Sequence, residues 1–198
     1  MIRIGVTGPM GSGKSTVSRR FQEHGAIRID GDALGWETLR EPDVRDRIAA
    51  AFGPGVLDAA GAVDRAALGR VVFRDPAAME RLNTIVQPAL LARVRARLAE
   101  TGEGVTVLDA AMISTWGLES ELDGVVEVVA AEPVRVRRVM RARGMTEAAA
   151  RERVRGQRLP PLGTARRHWR IENDADPAAL QRRIDPIWDE IARLARAS

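Results

Sequence analysis

The sequence contains no cysteine and no tyrosine, and lysine occurs only once, at Lys14. The absence of cysteine excludes a disulfide framework and a thiolate metal site. No apolar run approaches the roughly 20 residues that a helix needs to cross a bilayer, and no basic and then apolar leader precedes the first predicted strand. We therefore expect a cytoplasmic protein with no membrane association. With 198 residues, of which 45% are hydrophobic, the chain can bury the core of one domain that carries an inserted lobe.

The single lysine belongs to a complete phosphate-binding loop with the spacing G-x-x-x-x-G-K-[ST], from Gly8 to Ser15. Every other cation among the 31 Lys+Arg residues is arginine, so the sequence keeps one compact ammonium where a planar guanidinium would not serve. Glycines in such a loop let backbone N–H groups turn toward phosphates. We therefore predict that the chain binds a nucleoside triphosphate. The predicted nucleotide-binding residues of the loop are Gly11, Ser12, Gly13, Lys14, Ser15 and Thr16.

Two residues of this loop have specific predicted roles. Lys14 is expected to reach the β- and γ-phosphates and to act in catalysis, and Ser15 is expected to ligate Mg²⁺. The motif requires a strand before it and a helix after it, and residues 2–7 and 15–23 have those two patterns. Because all fixed positions and both flanks agree, a glycine-rich turn that matches the motif by chance is the weaker interpretation.

The net charge of +4 hides a strong asymmetry along the chain. Residues 135–170 contain twelve arginines and only two acidic residues, Glu147 and Glu152, which gives this segment +10 and the rest of the chain −6. One basic segment on an acidic body suggests a cationic wall that faces phosphates. A nucleic-acid surface would have the same charge, but no nucleic-acid motif accompanies the segment, and no nucleic-acid partner is expected.

Strands and helices alternate along the chain. Short strands are predicted at 26–29, 105–108, 125–131 and 168–171, and helical patterns cover about 33–100. Asp64, Asp75 and Thr146 have the positions of helix N-caps, and a final helix that contains Pro186 begins after Asp176. This alternation predicts an α/β fold with a mostly parallel sheet covered on both faces, in which ligands lie outside the carboxyl ends of the strands.

Three aspartates are expected at those carboxyl ends, namely Asp30, Asp32 and Asp109. Asp32 is the candidate base that accepts the proton of an acceptor hydroxyl. Asp109 is a candidate for contacting the acceptor or for supporting Mg²⁺ through water, and Thr7, which ends the first strand, is a further acceptor-binding candidate. Asp30 is equally well explained as a turn or N-cap carboxylate.

Motifs in order over nearly the whole chain resemble the dephospho-coenzyme A kinase family. They are the phosphate loop, Asp30-Gly31-Asp32, Phe52-Gly53, Gly61-Ala62-Val63-Asp64-Arg65 with Leu68, Val72-Phe73, Leu82, Pro88, Arg138, Gly144-Met145-Thr146, Gln157 and Asn173. The resemblance implies ATP-dependent phosphorylation of the ribose 3′-hydroxyl of dephospho-coenzyme A, the last step of coenzyme A synthesis. It also implies a P-loop NTPase-type three-layer fold. The core would comprise about 1–32, 101–140 and 168–198, with a helical acceptor-binding lobe at about 33–100 and a mobile lid at about 141–167.

The resemblance assigns roles to four residues in this numbering. Asp32 matches the proposed base, Arg65 an arginine that grips the acceptor, and Arg138 a catalytic arginine at the entrance of the lid. Asn173 matches an asparagine beside the adenine site. Arg65 and Arg138 also fit solvated helix faces, and Asn173 also fits a simple turn.

Four positions depart from the family pattern near the acceptor site and the lid. Gln87 stands where histidine is usual, Thr115 where glutamate is usual, Ala142 where a second lid arginine is usual and Gly163 where lysine is frequent. Two other functions therefore stay open at this point. One is a kinase of a nucleotide or nucleoside, and the other is a nucleotide-binding regulatory protein without transfer activity. The oligomeric state is not predicted.

Overall fold

The computed structural model describes residues 1–157, 159–163 and 165–197. Its strands are β1 (Ile2–Thr7), β2 (Ile27–Asp30), β3 (Val105–Asp109), β4 (Gly124–Val129) and β5 (His168–Glu172). Its α-helices are α1 (Lys14–Glu23), α2 (Gly31–Thr38), α3 (Pro42–Phe52), α4 (Arg65–Val72), α5 (Pro76–Glu100), α6 (Glu132–Arg143), α7 (Glu147–Gly156) and α8 (Pro177–Ala197).

The strands of the described residues form one parallel sheet with the order β2-β3-β1-β4-β5. The α/β fold with a parallel sheet is therefore confirmed. The register pairs Asp30 with Asp109 and Val6 with Asp109, so the carboxyl ends of β2, β3 and β1 are level. Because ligands of such sheets bind beyond these ends, the register places the candidate carboxylates on the functional edge.

The sheet core consists of apolar side chains on β1, β3 and β4, packed against helices. Ile4, Val6 and Val107 are fully buried, and Phe21 of α1 and Ile184 of α8 lie in the same cluster. All five residues of β3 are buried, which is typical of a central parallel strand covered on both faces. This core holds the ends of β1 and β3 rigidly where the phosphate loop begins.

The chain divides into two compact units. One comprises Met1–Gly31 and Glu100–Ser198 and contains the sheet. The other, Asp32–Ala99, is helical and has its own apolar cluster, which includes Val44, Ile48 and Leu68. We call these the sheet unit and the helical unit. The predicted roles of the helical residues as an acceptor lobe, and of residues 141–167 as a lid, stay predictions; Arg158 and Thr164 of that segment lie outside the described residues.

The predicted N-caps are present. The Asp64 carboxylate accepts hydrogen bonds from the N–H groups of Ala66 and Ala67 at the start of α4. Asp75 accepts from Ala77 N at 2.9 Å before α5, and Thr146 accepts from Ala149 N before α7. Such caps satisfy N–H groups that have no partner within the helix, and so they fix where each helix begins.

Among the described residues, no helix combines the length and apolar character required to span a membrane. Trp36, on α2, is 40% exposed and so is not part of the core.

Candidate active site

The phosphate loop joins β1 to α1, and its glycines adopt conformations that other residues avoid. Gly11 and Gly13 have φ values of 80° and 99°, in the left-handed region. A Cβ atom on Gly11 would lie 2.7 Å from the backbone oxygen of Arg135, and one on Gly13 would collide with the Asn173 amide. The loop is therefore packed closely against α6 and the end of β5. Lys14 is the first residue of α1, so the N-terminus of that helix points toward any phosphate in the loop.

Lys14 is paired with Asp109, at the end of β3. Its Nζ lies against Asp109 Oδ1, and the carboxylate is only 1% exposed. The other oxygen, Oδ2, accepts hydrogen bonds from Ser18 Oγ at 2.6 Å and from Arg28 Nη2 at 2.5 Å. Both carboxylate oxygens are thus engaged by protein groups.

These contacts change the pKa of Asp109. Burial alone would raise the pKa of the carboxyl group, because it disfavours the charged form. Attraction to Lys14 and hydrogen bonds from Lys14, Ser18 and Arg28 outweigh burial and hold the pKa below its ordinary value. Asp109 is accordingly an ionised carboxylate that is held by other groups of the protein.

Arg28, on β2, was not among the predicted site residues. Its Nη2 also lies 2.8 Å from Asp30 Oδ2, so one guanidinium spans the carboxylates of Asp30 and Asp109. Burial would lower the pKa of Arg28, but the two carboxylates raise it. A sequence signal was available: Arg28 and Asp30 are two residues apart on a strand, which places both on one face.

Arg138 and Asn173 lie over the loop. Arg138 Nη1 lies 3.3 Å from Gly11 O and 3.4 Å from Ser12 O, and its Nη2 donates to Asn173 Oδ1 at 3.2 Å. The Asn173 amide donates in turn to Ser12 O at 2.7 Å and is buried. Both residues therefore hold carbonyl groups of the loop, so neither is a solvated helix residue or a simple turn.

A cavity of about 410 Å³ opens beside these groups. Its wall includes Gly11, Gly13 and Thr16 from the loop together with Arg138 and Asn173. Apolar side chains of α6 and α8, among them Val139 and Leu180, complete it. The mixture of an apolar wall and convergent polar groups is typical of a small-molecule site.

Helix α7 also contacts the loop. Gln157, at its C-terminal end, accepts a hydrogen bond from the backbone N–H of Met10. Met10 packs against the apolar cluster that Val136 and Val139 of α6 form with Ala150 and Val154 of α7. Met10, at the tip of the loop, is thus joined to α7 by a hydrogen bond and to both α6 and α7 by apolar contact.

Part of the positive charge of that segment is neutralised locally. Arg151 Nη1 lies 3.3 Å from Glu132 Oε1, and Arg155 Nε lies 2.9 Å from the same oxygen. Arg151 also pairs with Glu147. Glu132 lies three residues before the segment 135–170 and was not included in its charge of +10. The positive potential of the segment is therefore weaker than that count suggested.

The remaining candidates are Thr7, Asp32 and Arg65. Thr7 is buried, and its hydroxyl donates to Ala111 O at 3.0 Å. In the helical unit, Asp32 is an exposed residue in the first turn of α2, and Arg65 is exposed at the start of α4. The Arg65 guanidinium lies over the ring of Trp36, 2.9 Å from its centroid. Trp36 follows Asp32 by one helical turn, and no site role was predicted for it.

The sheet unit thus brings together Thr7, the loop, Asp109, Arg138 and Asn173, and it adds Arg28, Ser18 and Gln157. The fit to Mg²⁺ can be judged from the donor groups. Among the described residues no group of three or more His, Asp or Glu side chains could hold a metal ion. Mg²⁺ bound with phosphates keeps several waters and needs few protein ligands. One hydroxyl from Ser15 is therefore compatible with a metal carried by a nucleotide.

Comparison with known proteins agrees with this geometry. The family model described as "Dephospho-CoA kinase" matches residues 2–178. A protein of Geobacter sulfurreducens with the name dephospho-CoA kinase is 40% identical over 189 residues, which cover 93% of this chain and 96% of that protein.

Two solved structures resemble the chain over most of its length. A Thermus thermophilus protein has a TM-score of 0.77 at 30% identity and covers 96% of this chain and 97% of its own. Dephospho-CoA kinase from Campylobacter jejuni has a TM-score of 0.68 at 18% identity, with 96% and 97% covered, and so supports the fold. With a family model that matches most of its residues and a relative of 40% identity over nearly the whole length of both proteins, this chain belongs to the dephospho-CoA kinase family.

Proposed function

We propose that the protein transfers the γ-phosphoryl group of ATP to the ribose 3′-hydroxyl of dephospho-coenzyme A and so forms coenzyme A. The observation that carries the proposal is that, in a chain of this family, the phosphate loop, Arg138 and Asn173 surround one cavity. The proposed location is the cytoplasm, as the sequence predicts.

The sheet unit would bind ATP. The loop N–H groups and the N-terminus of α1 favour an anion, and Lys14 is placed to contact the β- and γ-phosphates once it leaves Asp109. Gly11, Ser12, Gly13, Ser15 and Thr16 would contribute the remaining loop contacts. The adenine ring would occupy the apolar side of the 410 Å³ cavity, where Asn173 holds the backbone carbonyl of Ser12.

Ser15 would hold Mg²⁺ together with the phosphates. A bound Mg²⁺ would neutralise charge on the β- and γ-phosphate oxygens. Once Lys14 moves to the phosphates, Oδ1 of Asp109 would be open to a water molecule of the hydrated ion, while Ser18 and Arg28 keep Oδ2.

The helical unit would bind the acceptor. Arg65, stacked on Trp36, presents a guanidinium suited to a phosphate of dephospho-coenzyme A. Asp32 would accept the proton of the 3′-hydroxyl while the hydroxyl oxygen forms a bond to the γ-phosphorus and the bond to the leaving ADP oxygen breaks. Thr7 and Asp109 are proposed to support the site without contacting the acceptor, since the Thr7 hydroxyl is bonded to Ala111 and the Asp109 carboxylate, 1% exposed, is held by Ser18 and Arg28.

Arg138 would stabilise the transferring group. In the structure its guanidinium contacts the carbonyl groups of Gly11 and Ser12, and a phosphate in the loop would compete for the same donors. Closure of residues 141–167 would then exclude water from the reaction. Arg141 and Arg143, which flank Ala142, are candidates for the charge that the family places at that position.

The decisive experiment incubates the protein with Mg-ATP and dephospho-coenzyme A and follows the acceptor by mass spectrometry. We expect the acceptor to gain one phosphoryl group, and a Lys14→Ala control to remove that gain. If ATP binds but the acceptor stays unmodified, the departures at Gln87, Thr115, Ala142 and Gly163 have redirected the activity, and the proposal is wrong. Nucleosides tested as acceptors in parallel would identify a different kinase.

A further inference from the structure

Asp109 is shared by two cations that approach different oxygens. Lys14 contacts Oδ1, whereas Arg28 donates to Oδ2 from Nη2 at 2.5 Å and from Nε at 3.1 Å. Arg28 lies on β2, outside the phosphate loop, and it belongs to none of the motifs by which the chain resembles its family. The carboxylate between the two cations is 1% exposed.

This arrangement raises a problem of charge when a nucleotide binds. Lys14 must leave Asp109 if its ammonium is to contact phosphates, because Nζ is held against Oδ1. A buried carboxylate that loses its counter-ion is strongly destabilised. If Lys14 were the sole partner of Asp109, its departure would therefore oppose the binding of ATP.

We propose that Arg28 is a positioning residue that keeps Asp109 paired, so that Lys14 is free to move from the carboxylate to the phosphates. The guanidinium is suited to this task because its planar fork holds two acceptors at once. The same Nη2 that donates to Asp109 also donates to Asp30 Oδ2, 2.8 Å away on the same strand, so Asp30 helps to hold the guanidinium in place. Ser18 adds a hydrogen bond to Oδ2 at 2.6 Å, so Oδ2 keeps its partners whether or not Lys14 is present.

The first test measures the affinity of a non-hydrolysable ATP analogue for Arg28→Met, with EDTA present so that metal binding does not contribute. We expect binding to weaken by about tenfold, the effect of losing hydrogen bonds to a charged group. Arg20→Met is the matched control. Arg20 also lies in the sheet unit and pairs with an aspartate, but that partner is Asp185. The Arg20→Met variant should therefore bind the analogue as tightly as the wild type does.

Two double variants separate pairing from a general loss of positive charge. Arg28→Met with Asp109→Asn removes the carboxylate that would retain Lys14, and its analogue affinity should recover to within about twofold of the wild type. Arg28→Met with Asp30→Asn restores the same net charge but leaves Asp109 dependent on Lys14, and its affinity should stay low. Equal recovery in both double variants would overturn the proposal in favour of a simple field effect.

Lys14 offers a direct readout, because it is the only lysine of the chain. With isotope-labelled lysine, NMR should show one side-chain amine resonance, which shifts when the analogue binds to the wild type. In Arg28→Met the same shift should require about tenfold more analogue. A resonance that does not shift on saturation of the wild type would show that Lys14 never leaves Asp109, which would refute the proposed role of Arg28. This measurement needs only the wild type, so it decides the question even if Arg28→Met does not fold.

The inference rests on the proposed binding of ATP but not on the identity of the acceptor. Every measurement above uses nucleotide binding without phosphoryl transfer. A protein that binds ATP yet does not phosphorylate dephospho-coenzyme A would refute the proposed function and leave the role of Arg28 intact. Unchanged affinity in folded Arg28→Met would refute the role of Arg28 and leave the function intact.

Discussion

The sheet unit and the helical unit place their candidate functional groups in opposite environments. Around the phosphate loop, Lys14 and Arg28 are both paired with Asp109, and Asp109 and Asn173 are buried. In the helical unit, Asp32, Trp36 and Arg65 are exposed, and the Arg65 guanidinium lies over the Trp36 ring. The difference teaches that internal contacts preorganise the candidate groups of the sheet unit, whereas those of the helical unit are open to solvent.

The largest expected effect comes from removing the one lysine of the preorganised side. Lys14→Ala should lower kcat/KM for coenzyme A formation by about 10³-fold or more, because charge placement provides most of the catalysis in phosphoryl transfer. The assay is product formation followed by mass spectrometry. Lys14→Arg keeps the positive charge but should restore little activity, because a planar guanidinium differs in shape from a compact ammonium. A loss of less than tenfold in Lys14→Ala would show that the preorganised groups of the sheet unit contribute little to catalysis.

On the exposed side, Asp32→Asn should lower kcat by at least about 10²-fold, since it removes the base but keeps the shape of the side chain. The KM for ATP should be unchanged. Asp43→Asn is the matched control, because Asp43 is also an exposed acidic residue in the first turn of a helix of this unit. Equal losses in the two variants would contradict a role for Asp32 as the base.

The stacking of Arg65 on Trp36 should matter for the acceptor alone. Trp36→Ala should raise the KM for dephospho-coenzyme A by about two- to fivefold, the range expected for a lost cation–π contact at an exposed site. The kcat and the KM for ATP should change little, and Trp36→Phe should recover part of the loss. Phe73→Ala removes another exposed aromatic side chain of the helical unit, and its kinetics should match those of the wild type.

The smallest effect concerns stability at acid pH. Because contacts depress the pKa of Asp109 in the folded state, its stabilising contribution is complete above the ordinary value of 3.8 and is lost as the pH falls from there through the depressed pKa. Asp109→Asn should therefore be less stable than the wild type at pH 7, and the gap should narrow below about pH 4. Urea unfolding at a series of pH values measures the gap; a constant difference would show that folding does not lower the pKa of Asp109.

Much of the fold and of the nucleotide site could be predicted from local sequence. The phosphate loop has fixed spacing, and the N-caps at Asp64, Asp75 and Thr146 act within a few residues. Strand ends were less certain: β2 includes Asp30, and β4 ends at Val129 rather than at residue 131. The end of a strand depends on where its neighbour stops pairing, which a single segment does not specify.

The missed features all depend on residues that are distant in sequence. Arg28 pairs with Asp109 across 81 positions, and Met10 contacts Gln157 across 147. The sequence predicted Arg138 and Asn173 separately through resemblance, but their contact with each other and with the carbonyl groups of the loop was not predicted.

The sequence by itself determined the phosphate loop, the alternation of strands and helices, and the supply of charged groups, because each depends on short-range spacing and residue chemistry. Only the tertiary structure decided which charges neutralise one another. Parallel pairing brings the ends of β1, β2 and β3 level, and the low dielectric of that buried edge makes the pairing of Lys14 and Arg28 with Asp109 energetically necessary.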